Sequence, residues 1–138
     1  MPVQLNHTIM WVHDQKGSAK FLTSILGLRE ARRFGPFLVV GLDNEVSLDL
    51  YEKDASDKIS LQHYAFLISE TEFDEIFGRI KERNLDYWAD PGRTRAGKLY
   101  NHNGGRGLYF MSPDGHLLEI MTRPYSNAAN NSPLVPIA

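Results

Sequence analysis

Not one cysteine occurs in the 138 residues. That excludes a disulfide framework, a thiolate metal site and a thiol nucleophile. A surplus of positive charge is also missing. Fifteen Lys and Arg stand against seventeen Asp and Glu, a formal charge of −2. With a pI near 6.2, the chain has no basic footprint for nucleic acid. Long apolar runs are lacking too. The opening Met1-Pro2-Val3-Gln4 has neither a charged stretch nor an apolar core, so no signal peptide and no membrane span are expected. The composition fits a cytoplasmic protein. An apolar content of 42% suffices for one core at a length typical of one domain.

What the chain does have is a repeat. Leu5-Asn6-His7 opens one half and Leu61-Gln62-His63 the other, and Ser47-Leu48-Asp49-Leu50 and Leu117-Leu118-Glu119-Ile120 close them. Two copies of one supersecondary unit are the ordinary meaning of such a pattern. In the first copy, period-two alternation over residues 4–13 predicts a strand with Leu5, His7, Ile9, Trp11 and His13 on one face and Thr8, Met10 and Val12 on the other. Asp14 is a helix cap, Phe21, Leu22, Ile25 and Leu26 fall at helical spacing, and Gly27 supplies the stop. Three strands follow at 29–34, 37–42 and 46–52, broken at Gly35-Pro36 and Asp43-Asn44. Residues 53–58 read as a linker.

The second copy starts with a strand at 63–68. Ser69 and Glu72 have the capping-box spacing, Phe73, Ile76, Phe77 and Ile80 form one apolar stripe, and Asn84 ends the helix. The Pro-, Gly- and Asn-rich stretch 87–106 predicts a long loop with at most one short strand. Strands at 107–111 and 116–122 flank the turn Ser112-Pro113-Asp114-Gly115. The expected fold is α+β: two βαβββ repeats, about 3–53 and 59–125, forming one curled mixed sheet around a metal cavity. They make a single domain over 1–125, followed by a flexible tail over 126–138.

His7 and His63 hold matching places in the repeats. Glu119 sits in an otherwise apolar strand, where an unpartnered carboxylate costs on the order of several kcal/mol. No Lys or Arg shares that strand, and a divalent cation would compensate the charge. Two His and one carboxylate with open positions is an arrangement of non-haem Fe(II). A second carboxylate, Asp49, would favour six-coordinate Zn, Ni, Co or Mn. Its strand face also carries Ser47 and Tyr51, which suit a solvated face equally well.

These residues, the Phe21 to Leu28 helix segment and Gly107-Leu108-Tyr109-Phe110-Met111-Ser112-Pro113-Asp114-Gly115-His116-Leu117-Leu118-Glu119 resemble the vicinal oxygen chelate superfamily. That group holds glyoxalase I, extradiol dioxygenases, fosfomycin-resistance proteins and bleomycin-binding proteins. The resemblance covers nearly all of residues 3–124. It implies a metal held by His7, His63 and Glu119, with Asp49 as a fourth ligand, and a homodimer. It also implies a small-molecule substrate with vicinal oxygens.

Within the group the branches differ. Where glyoxalase I carries a glutathione-contacting arginine and asparagine, this chain has Trp11 and Lys53. A tyrosine ten residues before the metal glutamate marks extradiol dioxygenases, and Tyr109 stands there. His102 lies near the place of their loop histidine without aligning to it. The reading therefore favours a metal-dependent dioxygenase with Tyr109 and His102 as catalytic candidates. A glyoxalase-like lyase or isomerase is the close alternative, and a non-catalytic ligand-binding dimer of the bleomycin-resistance type is the rival. Trp11, His13, Phe37 and Trp88 are candidate substrate contacts, Trp11, Phe37 and Trp88 forming with Tyr109 an aromatic wall. His116, on the strand face opposite Glu119, is expected to be structural.

Overall fold

Strand and helix alternate twice in the same order over residues 2–125, the part of the chain that the computed structural model describes. The first series is β1 (His7–Val12), α1 (Gln15–Leu26), β2 (Arg32–Phe34), β3 (Phe37–Gly41) and β4 (Ser47–Glu52). The second is β5 (His63–Leu67), α2 (Glu70–Glu82), β6 (Tyr100–His102), β7 (Gly105–Met111) and β8 (Leu117–Met121). The tail expected to be flexible over 126–138 lies outside the described residues.

The helices begin and end where their capping chemistry places them. Asp14 accepts the Gly17 N–H at 3.0 Å. Gly27, at φ 71°, returns its N–H to the Thr23 carbonyl, a left-handed stop that costs glycine little. Ser69 and Glu72 form the reciprocal capping box of α2. Each helix buries one stripe. In α1 that stripe is Ala19, Leu22 and Ile25, and in α2 it is Phe73, Ile76 and Ile80.

Pairing within each series follows one plan. The first sheet runs β1-β4-β3-β2 and the second β5-β8-β7-β6. β1 lies parallel to β4, and β5 parallel to β8. The single curled sheet around a metal cavity, expected from the sequence, is therefore not what forms. There are two separate four-stranded sheets, each open, with β1 and β2 as the edges of one and β5 and β6 as the edges of the other. The parallel pair of each repeat is satisfied inside that repeat, so no strand is shared and neither sheet closes on itself.

The chain divides into two compact units. The first comprises the residues up to Gln62 together with Met111–His116, and the second His63–Phe110 and the residues from Leu117 onward. In the first unit, Met10, Val12, Val40, Leu48 and Leu50 are buried with the α1 stripe. The turn 112–116 is tied to it through His116, which is fully buried. Its Nε2 donates to the Trp11 carbonyl at 2.8 Å, and its Nδ1 accepts the Gln62 N–H at 3.0 Å. The structural role expected of His116 is this clasp. In the second unit, Leu108, Phe110, Leu118 and Ile120 are buried with the α2 stripe.

Candidate metal centre

In the second unit, alternation along β8 puts Leu118 and Ile120 on one face and Leu117, Glu119 and Met121 on the other. The parallel register sets Ala65 opposite Glu119 and His63 opposite Leu117. Ala65 carries only a methyl group, and the His63 ring reaches diagonally along the same face. His63 Nε2 stands 3.0 Å from Glu119 Oε1, and its Nδ1 lies 2.9 Å from the Leu117 carbonyl oxygen.

That second contact decides the tautomer. A carbonyl oxygen only accepts, so Nδ1 carries the hydrogen, and in a neutral ring Nε2 presents a lone pair. Two acceptors then face each other across 3.0 Å, which requires a positive centre between or upon them. Glu119 is fully buried, while the His63 side chain is 42% exposed. The pair therefore has an opening on the histidine side.

Three tyrosines complete the surroundings. Tyr100 donates its hydroxyl to Glu119 Oε2. Tyr125 Oη lies 3.4 Å from Oε1, and Tyr109 and Tyr125 share a hydrogen bond of 3.1 Å between their hydroxyls. The Tyr109 ring centre is 5.8 Å from that of His63 and 5.8 Å from that of Tyr100. Burial raises the Tyr100 phenol well above the ordinary tyrosine range, and the bond to Glu119 adds to the shift. Tyr109 is raised likewise, by burial first and then by Tyr125. Both stay protonated at neutral pH, and Tyr100 donates to Glu119.

Tyr100 and Tyr125 were absent from the sequence reading. The only trace of Tyr100 there is Gly107, its partner in the β6–β7 register. A Cβ at 107 would run into the Tyr100 ring. The glycine is what lets that ring lie across β7 toward Glu119. Tyr125 follows β8 in an irregular segment, and no pattern in the sequence signals it.

The remaining candidates fall in different places. His102, on β6, has Nε2 3.3 Å from the Tyr125 carbonyl and 3.2 Å from Asn103 Nδ2. Trp88 is bridged to Tyr109 through reciprocal backbone hydrogen bonds of 2.9 Å. The first unit holds the others. His7 Nδ1 lies 2.7 Å from Asn6 Oδ1, and Asp49 accepts the Ser47 hydroxyl at 2.8 Å. His13 has both ring nitrogens engaged, with Asp114 at 3.2 Å and the Asp57 carbonyl at 2.8 Å. Trp11, Tyr51 and Phe37 sit side by side in register across three strands, with ring centres 5.2 and 5.7 Å apart. Lys53 Nζ lies 5.1 Å over the Trp11 ring. Of the four expected ligands, His63 and Glu119 meet in one unit. Among the described residues no group of three or more His, Asp or Glu is gathered for an ion.

Residues 4–120 match the family described as the Glyoxalase/Bleomycin resistance protein/Dioxygenase superfamily. The structure of Oxidase ChaP-H1 is 56% identical, covers 91% of this chain and 100% of its own, and superposes with a TM-score of 0.88. Oxidase ChaP-H2 is also 56% identical over 91% of this chain and 98% of its own, at a TM-score of 0.86. Glutathione transferase FosA of Serratia marcescens is 28% identical over 123 residues, 84% of this chain and 78% of its own.

Proposed function

The chain belongs to the Glyoxalase/Bleomycin resistance protein/Dioxygenase superfamily, and from that premise we propose that it is a divalent-metal-dependent enzyme of oxidase or dioxygenase type, acting on a small substrate with adjacent oxygens. The observation that carries the proposal is the His63–Glu119 pair. A buried carboxylate oxygen stands 3.0 Å from an imidazole nitrogen, and the imidazole is locked from behind by a backbone carbonyl. That is the orientation a metal-binding histidine needs from its outer partner. Imidazole nitrogen and carboxylate oxygen suit Fe, Mn, Zn, Ni or Co.

His7 and Asp49 belong to the other unit. Each carries over from the sequence as a candidate ligand, admitted or removed by the metal content of His7→Ala and Asp49→Ala. A divalent ion bound at His63 and Glu119 would supply Lewis acidity toward two neighbouring substrate oxygens. The tyrosines have separate tasks. Tyr109, buried beside His63, exchanges its hydrogen bond to Tyr125 for one to a substrate oxygen. Tyr100 and Tyr125 hold Glu119. His102 is the proposed proton-transfer partner, since an imidazole changes charge near neutral pH. Trp11 and Phe37, with Tyr51 between them and the rings tilted against one another, offer aromatic contacts for an apolar portion of the substrate.

The oxidase reading draws on the 56% identity to Oxidase ChaP-H1 and on the position of Tyr109. The test is metal analysis of protein purified without chelator, followed by oxygen uptake with catechol-type phenols. About one equivalent of metal and substrate-dependent oxygen consumption are expected. Metal without oxygen uptake would transfer the assignment to the lyase or isomerase branch. A wild-type protein that takes up none of the five ions would end the enzyme reading. We further propose a homodimer and a cytoplasmic location. No helix among the described residues is long and apolar enough to cross a membrane.

A further inference from the structure

We propose that Tyr100 is a positioning residue that makes Glu119 a one-oxygen donor. The inference rests on the metal reading of His63 and Glu119 given above. Glu119 has two oxygens in unlike surroundings. Oε1 faces His63 Nε2 at 3.0 Å, with Tyr125 only grazing it at 3.4 Å. Oε2 receives the hydrogen bond of the Tyr100 hydroxyl. A phenol bonded to a carboxylate donates its single hydrogen, since the carboxylate only accepts. Oε2 is thereby withheld, and Oε1 alone is turned toward the imidazole lone pair.

The fold commits structure to this contact. Tyr100 lies on the edge strand β6, opposite Gly107 of β7. The space a side chain at 107 would fill is occupied by the Tyr100 ring and hydroxyl. Glycine within a strand ordinarily weakens it, and its presence here marks a close approach. Tyr109 lies beside the ring, 5.8 Å away centre to centre. A tyrosine whose only duty was to cover the sheet would need neither the missing side chain nor an aim at one particular oxygen.

Restricting the carboxylate in this way has a chemical consequence. A carboxylate free to rotate can chelate through both oxygens and use up a position at the metal. One held to a single oxygen leaves that position for substrate. Outer partners of metal ligands are typically worth about 10–100-fold in metal affinity.

The test is Co²⁺ binding to the full-length protein, read by calorimetry and by visible absorption, for wild type, Tyr100→Phe and Tyr125→Phe. Phenylalanine keeps the ring and its place over Gly107, and thermal melting checks the fold. In Tyr100→Phe we expect Co²⁺ affinity to fall about tenfold. Its visible bands should also change in position or intensity as Glu119 becomes free to bind through both oxygens. In Tyr125→Phe, where Oε2 stays held by Tyr100, the bands should keep their position and intensity and the loss of affinity should be smaller. Unchanged affinity and bands in Tyr100→Phe would overturn the inference and leave the metal site standing. Equal effects of the two variants would overturn it too, because the two oxygens would then not be distinguished. A wild type that binds no Co²⁺ would overturn both the metal reading and this inference.

Discussion

Among the described residues, Glu119 and His116 are fully buried ionisable side chains that organise their surroundings, and they do so for opposite ends. Glu119 gathers His63, Tyr100 and Tyr125 and leaves one oxygen toward an exposed imidazole. Glu119→Gln keeps the shape and an acceptor oxygen for Tyr100 but loses the charge. Its melting temperature should therefore move by only about a few degrees, while metal content drops from about one equivalent to near zero by elemental analysis. A variant that retains its metal would remove Glu119 from the ligand set. His116 serves stability alone. Its two ring nitrogens join Trp11 and Gln62, and its own N–H reaches the Ser112 hydroxyl at 3.0 Å. His116→Ala opens a cavity and strands the Gln62 N–H and the Trp11 carbonyl, a loss of about 3 kcal/mol. Chemical denaturation would show it as a lower midpoint, with metal uptake by the folded fraction unaffected.

At the scale of elements, the helices illustrate how far local chemistry reaches. The φ of 71° at Gly27 is strained for any residue with a Cβ, so Gly27→Ala should cost about 1 kcal/mol by the same denaturation measurement. The loop between α2 and β6 is built differently, around Asp90. Its carboxylate accepts the N–H groups of Thr94 and Arg95 and the Thr94 hydroxyl. Those bonds, the Thr94 hydroxyl foremost, hold Asp90 below the usual aspartate range. The sign follows from linkage. A carboxylate depressed in the folded state contributes order that is complete above its unfolded pKa and is lost as pH falls through the folded value. The loop should thus stay closed through pH 5 and loosen only on further acidification. Hydrogen exchange at Thr94 and Arg95 reports it directly. Both amides should exchange faster in Asp90→Ala at neutral pH, whereas Asp90→Asn, which keeps one acceptor oxygen, should protect them better. Equal exchange in wild type and Asp90→Ala would show that the loop is held by its backbone bonds alone.

For the molecule as a whole, the notable feature is what the two sheets leave uncovered. β1 and β5 are edge strands, and large apolar side chains lie exposed on or just before them: Leu5 at 66%, Ile9 at 37%, Leu61 at 61% and Leu67 at 62%. Edges and apolar side chains of this kind are ordinarily paired or covered. The proposed homodimer would cover them. Sedimentation equilibrium should return about twice the 15.7 kDa chain mass, and the double variant Leu5→Glu, Ile9→Lys should shift it toward the monomer. A wild type that sediments as a monomer at all concentrations would discard the dimer.

Order, kind and capping of the elements were legible in the chain because they depend on neighbours within a few residues. Asp14, Gly27 and the Ser69–Glu72 pair act within one helical turn, and alternation divided β1 into two faces, of which packing buried that of Met10 and Val12. The repeat likewise announced two copies of one unit, and Glu119 was conspicuous as a lone charge in an apolar strand. Other features needed the third dimension. Alternation says which face a residue takes but not how many strands join a sheet, so the expected curled sheet gave way to two open ones. The partners of Glu119 were hidden for the same reason. Tyr100 reaches it only through the β6–β7 register and the side chain missing at Gly107, and Tyr125 only because the chain turns back after β8. A single chain position announces its own chemistry. Which atoms come to face one another is decided by pairing and packing between segments far apart in sequence.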